Sequence, residues 1–118
     1  MYLYIAMQES MKYNVTSIPN FTKELKRLAK KYPSILDDVL SLTDILEITP
    51  LQGVPLGNSL YKVRLSIASK GQGKSGGARV ITCVKIIGAV VVLVAIYDKS
   101  ERETITPKEL DKLLKLIP

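Results

Sequence analysis

Apolar residues recur along this chain first at helical spacing and then at strand spacing. Phe21, Leu25, Leu28 and Tyr32 stand at i, i+4, i+7 and i+11, one stripe of a helix, with Lys23, Lys26, Arg27, Lys30 and Lys31 around the rest. Pro33 stops that helix and can open the next. Ile35, Val39, Leu42 and Leu46 then repeat the stripe to about Glu47. Two such helices with a tight joint predict a helical hairpin laid on a sheet. Ahead of them, Lys12–Ile18 alternates weakly through Tyr13 and Val15 and predicts a first strand. Behind them, Thr49–Gly57 carries two prolines and two glycines and predicts a loop.

From Tyr61 the period becomes two. Tyr61, Val63, Leu65 and Ile67 point one way and Lys62, Arg64 and Ser66 the other, which predicts a half-buried strand. Ser69–Gly77 (SKGQGKSGG) has nothing to pack and predicts a flexible connection. Ala78–Ile86 and Ala89–Tyr97 predict two further strands with a turn near Gly88. The apolar run Ile86–Ile96, 11 residues, falls well short of the roughly 20 that span a membrane. Pro107 begins a last helix, with Thr106 as N-cap and Leu110, Leu113, Leu114 and Ile117 on its buried face. The order β-α-α-β-β-β-α defines an α+β domain: an N-terminal strand and helical hairpin packed on a twisted antiparallel sheet, closed by a C-terminal helix. Residues 12–118 make one domain, and 1–11 form an N-terminal extension that contributes nothing to the pattern. The opening MYLYIAM lacks the charged start of a signal peptide, so a cytoplasmic protein with no membrane partner is expected.

Composition narrows the chemistry. The chain has no histidine and one cysteine. Ser-His-Asp and Cys-His catalysis, an internal disulfide and most zinc, copper and haem ligation are excluded, and neither metal nor cofactor is expected. Proton transfer and charge stabilisation would fall to Lys, Arg, Tyr or carboxylates. Cys83, in an apolar strand, reads as a core residue.

Charge sharpens this further. Residues 61–85 hold six bases and no acid, whereas 32–60 hold four acids and no base. Lys62 and Arg64, two apart on a strand, share a face, and Arg79 lies near them if the next strand pairs back antiparallel. Lys70 and Lys74 hang beside them on the glycine loop. Like charges gathered without a carboxylate repel one another unless an anion binds, which points to phosphate. The plain alternative is a solvated sheet face whose charges guard an edge. The string GKS at 73–75 invites a P-loop reading, but Ala68 stands where that motif needs glycine, and a strand follows the loop where a helix should.

The segments YKVRLSIASKGQGKSGGARVIT and IYDKSE, with FTKELKRLAKKYPSI near the start, resemble the RelE/ParE toxin superfamily, closest to its HigB-like branch of type II toxin–antitoxin modules. The resemblance covers about residues 12–115 and implies a microbial RNase fold, cleavage of mRNA on the ribosome and inhibition by a cognate antitoxin. Carried over position by position, it implies that Lys62, Arg64, Arg79 and Lys99 are the catalytic basic residues. It further implies that Lys70 and Lys74, with Gly73 and Gly76, form the RNA-binding loop. No tyrosine matches RelE's catalytic one near the C-terminus, and Tyr97 is the nearest aromatic with a polar tip. The mechanism so implied is metal-free: the ribose 2′-OH attacks the adjacent phosphorus, Arg64 and Arg79 stabilise the pentavalent phosphate, and Lys62 is the candidate base. The competing functions are a ParE-like gyrase inhibitor and a non-catalytic nucleic-acid-binding protein.

Overall fold

The computed structural model describes residues 12–118; the extension expected at 1–11 lies outside the described residues. Along the chain run β1 (Asn14–Ser17), α1 (Pro19–Lys31), α2 (Ile35–Ile48), β2 (Val54–Gly57), β3 (Leu60–Leu65), β4 (Ala78–Lys85), β5 (Val90–Asp98) and α3 (Pro107–Leu114). The strands form one sheet in the order β1-β5-β4-β3-β2. The strands β2 to β5 run antiparallel in succession, and β1 lies parallel to β5 at the far edge.

Local chemistry sets the boundaries. α1 starts with Pro19 in its first turn, where a missing N–H costs nothing, and ends at Tyr32, whose extended backbone is what the following Pro33 demands. α2 opens with Asp37 and Asp38 at the positive end of its dipole. Thr106 caps α3 in a reciprocal capping box with Glu109, as the sequence predicts.

Both faces of the sheet are covered. The helical hairpin packs Phe21, Leu28, Ile35, Val39, Leu42 and Leu46 onto Val63, Leu65, Val80, Val91, Leu93 and Ile96. α3 packs Leu113, with Leu110 and Leu114, against Leu60, Ile81, Cys83, Val92 and Val94 on the other face. Leu28, Ile35 and Leu46 lose all solvent exposure, each stabilising the fold by roughly 1.5–3 kcal/mol. Cys83 is buried in this second layer. Among the described residues no helix is long and apolar enough to cross a membrane.

Three features depart from the sequence reading. The expected loop Thr49–Gly57 contains β2, a short strand at the sheet edge, where a proline such as Pro55 is tolerated because an edge strand pairs on one side only. Gly53 makes this possible: its φ is +82°, and a Cβ there would lie 2.1 Å from the Lys62 carbonyl oxygen. Ile86 belongs to no strand. With Ile87 it sits exposed in the turn between β4 and β5, which closes through the Ala89 N–H to the Ile86 carbonyl at 3.1 Å.

The third departure is a bulge. Ile81 pairs with Ala95 but Thr82 pairs with Leu93, so Val94 is an extra residue in β5. Its carbonyl accepts a hydrogen bond from Asn20 Nδ2 at 3.0 Å. The bulge reverses the alternation downstream, so Ile96 faces the helical hairpin and Tyr97 the α3 side.

Candidate nucleic-acid interface

Pairing register places the predicted residues. Arg64 is the direct cross-strand partner of Arg79, and Arg79 is in turn the partner of Tyr97, so three strands contribute one row on the α3 side of the sheet. Lys62 stands two residues along β3 on the same face, opposite Ile81. Two like charges directly opposite one another destabilise a ladder. Among the described residues none of Lys62, Arg64, Lys74, Arg79 and Lys99 forms an ion pair. The row is therefore a concentration of uncompensated positive charge.

Its members differ in access. Arg64 is exposed, beside the stretch of β3 beyond Lys62 where β2 no longer pairs. There Arg64 and Lys74 line a cleft of about 270 Å³ with Asp38, Ser41, Ile45 and Gln52. Arg79 is only 4% exposed. Its guanidinium donates to the carbonyls of Lys74 (2.8 Å), Ala78 (3.1 Å) and Ser75 (3.3 Å), which occupies three of its five N–H donors. Arg79 thus holds the far side of the glycine loop. Gly77 lets that loop close, since a Cβ there would meet the Leu65 carbonyl oxygen at 2.1 Å. Gly73 has φ +62° and open space around it, and Gly76 packs on the Gln72 side chain.

Tyr97 is buried, with the Arg102 guanidinium 5.3 Å from the centre of its ring. Its hydroxyl has no hydrogen-bond partner of good geometry among the described residues. Burial raises the phenol above its ordinary pKa, against the pull of Arg79, the Thr104 side chain and Arg102. Tyr97, Arg102 and Ile105 floor a second cleft of about 530 Å³ between α1 and α3. Lys99 follows the strand: its N–H bonds the Gly77 carbonyl at 3.0 Å, and continued alternation carries its side chain toward the Tyr97 face.

Lys70 is not brought to this row. Its ammonium lies on the helical side of the sheet, bonded to Asp98 Oδ1 at 2.8 Å and Ser100 Oγ at 3.0 Å, with its side chain 10% exposed. Asp98 is wholly buried and accepts also from the Tyr32 hydroxyl (2.5 Å), the Ser100 N–H (3.0 Å) and the Ser100 hydroxyl (2.8 Å). Burial alone would raise its carboxyl; Lys70, Tyr32 and Ser100 outweigh that and hold it well below the ordinary carboxylate range. The expected free loop is tied at its start as well, where Ser69 N–H donates to Ser34 Oγ at 2.8 Å and Ala68 N–H to Asp38 at 3.1 Å. Sequence reading missed Tyr32 and Asp98 as polar partners. Tyr32 reads as part of an apolar stripe, and the signal for Asp98 was an acid at the end of an otherwise apolar strand. Glu101 pairs with Arg27 at 2.7 Å and approaches Lys31 at 3.7 Å, tying the segment after β5 to α1. Among the described residues no group of three or more His, Cys, Asp or Glu is placed to hold a metal ion.

A helical hairpin on a five-stranded sheet is the fold of small toxin proteins of known structure. The free state of a mutant Escherichia coli toxin RelE superposes with a TM-score of 0.57 at 16% identity, covering 91% of this chain and 99% of that one. The toxin–antitoxin complex RelBE2 from Mycobacterium tuberculosis superposes with a TM-score of 0.55 at 18% identity, covering 74% of this chain and 91% of that one. At these identities the likeness is one of fold. The family described as the RelE toxin of the RelE/RelB toxin–antitoxin system matches residues 20–117, and the chain belongs to that family. No curated protein matches the sequence significantly.

Proposed function

We propose that this RelE-family toxin is a ribosome-dependent endoribonuclease of the HigB-like kind, acting on mRNA in the cytoplasm and restrained by a cognate antitoxin. The observation that carries the reading is the Arg64–Arg79 pair: two opposed cations on neighbouring strands, with no carboxylate paired to either. Such a pair is stabilised when a phosphodiester lies across it. The RelBE2 relative is a toxin–antitoxin complex, which supports an antitoxin as partner.

In this reading the 2′-oxygen forms a bond to phosphorus and the bond from phosphorus to the 5′-oxygen breaks, leaving a 2′,3′-cyclic phosphate and a 5′-OH. Lys62 is the candidate acceptor of the 2′-OH proton. Arg64 meets the equatorial oxygens as charge grows on them, because it is the exposed guanidinium of the row. Arg79, fixed by the loop carbonyls, contributes its field and its remaining N–H donors. Lys99 flanks the leaving group, and Tyr97, a phenol held neutral by burial, is the candidate donor to the departing 5′-oxygen once Arg102 moves aside. Lys74, carried by the turns at Gly73 and Gly76, holds backbone phosphate without reading sequence.

One observation favours a non-catalytic nucleic-acid-binding protein instead: the Tyr97 hydroxyl is covered. Inducible expression with and without the antitoxin, followed by mapping of mRNA 5′ ends, separates the readings. Codon-phased cuts that vanish in an Arg64→Ala/Arg79→Ala variant support cleavage. Growth arrest with intact mRNA and gyrase-linked DNA damage overturns it in favour of a ParE-like inhibitor, and RNA binding without cuts leaves the non-catalytic protein.

A further inference from the structure

We propose that Asp98 is a positioning residue for the cationic row: a buried carboxylate that fixes the start of the glycine loop through Lys70, so that Arg79 can hold its far side and present Arg64 and Lys74 together. The inference rests on the RNA-cleaving reading for its functional consequence, but the latch itself is defined by geometry.

Three segments meet on this one side chain. Tyr32 comes from the end of α1, Lys70 from the start of the loop, and Ser100 from the turn after β5. Together they supply four hydrogen bonds, about as many as the lone-pair directions of a carboxylate allow. Lys31 adds a fifth, longer approach at 3.7 Å. Two of these segments lead within a few residues to a member of the candidate site, Lys70 to Lys74 and Ser100 to Lys99, and Asp98 itself adjoins Tyr97. Register places Asp98 opposite Ala78, one step from the Arg79–Tyr97 pair. The loop is thus pinned from both sides of the sheet, by Asp98 on Lys70 beneath the helical hairpin and by Arg79 on the Lys74 and Ser75 carbonyls on the other face.

A buried ion pair is weak ground for stability, since apolar side chains of similar size often serve as well. What a saturated carboxylate supplies that an apolar contact cannot is direction: each donor is held at one distance and angle. It also removes Lys70 from the cations available to RNA. Lys70 therefore acts on the loop and not on a phosphate.

The test uses the full chain and its Asp98→Asn, Lys70→Met, Asp98→Asn/Lys70→Met and Arg64→Met variants. Hydrogen exchange of the amides of residues 70–77 is measured first. We expect protection there to fall in Asp98→Asn and in Lys70→Met while the β4 and β5 amides stay protected. Unchanged protection overturns the latch whether or not the protein acts on RNA. Binding to a 2′-O-methyl RNA oligonucleotide is then followed against salt. Arg64→Met should lower the slope by about one contact's worth and Lys70→Met should leave it as in wild type. An equal drop in both makes Lys70 a phosphate contact and overturns the proposal. Last, cleavage of ribosome-bound mRNA should fall roughly 10-fold or more in kcat, with KM little changed, in Asp98→Asn. The double variant should be no slower than the slower single one, because both act through one latch. Multiplying losses, or a lowered Tm with unaltered kcat, overturn it. A wild-type chain that neither binds nor cuts RNA defeats the functional reading alone, and the exchange measurement still decides the latch. Should Asp98→Asn fail to fold, Lys70→Met, which leaves Asp98 bonded to Tyr32 and Ser100, carries the same comparisons.

Discussion

A side chain that grips a phosphodiester must be both charged and reachable; Arg64 is the exposed guanidinium of the row, whereas Arg79 is buried. Arg64→Ala should lower mRNA cleavage by about 10²–10³ while leaving Tm nearly unchanged, since an exposed side chain with no ion pair contributes little to folding. Arg79→Ala should do something different. It removes the donor to three carbonyls, so stability should drop by about 1–3 kcal/mol together with activity, and thermal unfolding alongside 5′-end mapping distinguishes the two variants. Asp98 gives a pH prediction. Its folded carboxyl lies below its unfolded value near 4, so its contribution is fully present above pH ~4 and is lost as pH falls further. The groups facing it are Lys70, Lys31 and Tyr32, with Glu101 nearby through Lys31. Urea unfolding between pH 6 and pH 2 should show a steeper acid loss in wild type than in Asp98→Asn. Glu109, held at about 2 by Arg102 and the Thr106 cap, adds a smaller, solvent-screened part to the same slope.

At the scale of elements, the glycines that matter are those that backbone approaches. Gly53→Ala and Gly77→Ala each place a Cβ 2.1 Å from a carbonyl oxygen, and backbone must shift to admit it. Both should destabilise by more than Gly73→Ala, whose Cβ meets open space and whose cost is the left-handed φ alone, about 1–2 kcal/mol. A Tm series over the three variants checks the order. Thr106→Ala should cost about 1 kcal/mol by removing one half of the capping box. Both helices of the hairpin, α3 and the three long strands were legible in the sequence because their apolar spacing is regular. The strand β2 was not, since two prolines and two glycines mask four residues whose pairing comes from β3 rather than from their own pattern. The facing of Lys62 and Arg64 was legible from alternation alone. The true setting of Arg79, Lys70 and Tyr97 was not: burial of a cation by carbonyls or by a distant carboxylate leaves no periodic trace.

For the whole molecule, the separation of charge along the chain becomes a separation in space. Two of the five cations on α1 are engaged: Arg27 pairs with Glu24 and Glu101, and Lys31 lies near Glu101 and Asp98. Lys62, Arg64, Lys74 and Arg79 form no ion pair and lie toward the loop end of the sheet, and Lys23, Lys26 and Lys30 on α1 form none either. RNA affinity should therefore fall with salt by a slope that drops by roughly 0.7 for each of Lys62, Arg64 and Lys74 neutralised, and that Arg27→Ala leaves unchanged. Filter binding across a salt series reads this directly. The extra Val94 governs which way this whole end of the molecule is polarised. Facing along a strand is a matter of odd and even, so the same residues paired straight, with no bulge at Val94, would turn the Asp98 carboxylate toward Arg79 and Arg64 and carry the Tyr97 phenol under α1. The composition would be the same, yet the cations would be quenched from within. The way β5 pairs, as much as the identity of its residues, decides whether this surface attracts an anion or already contains one.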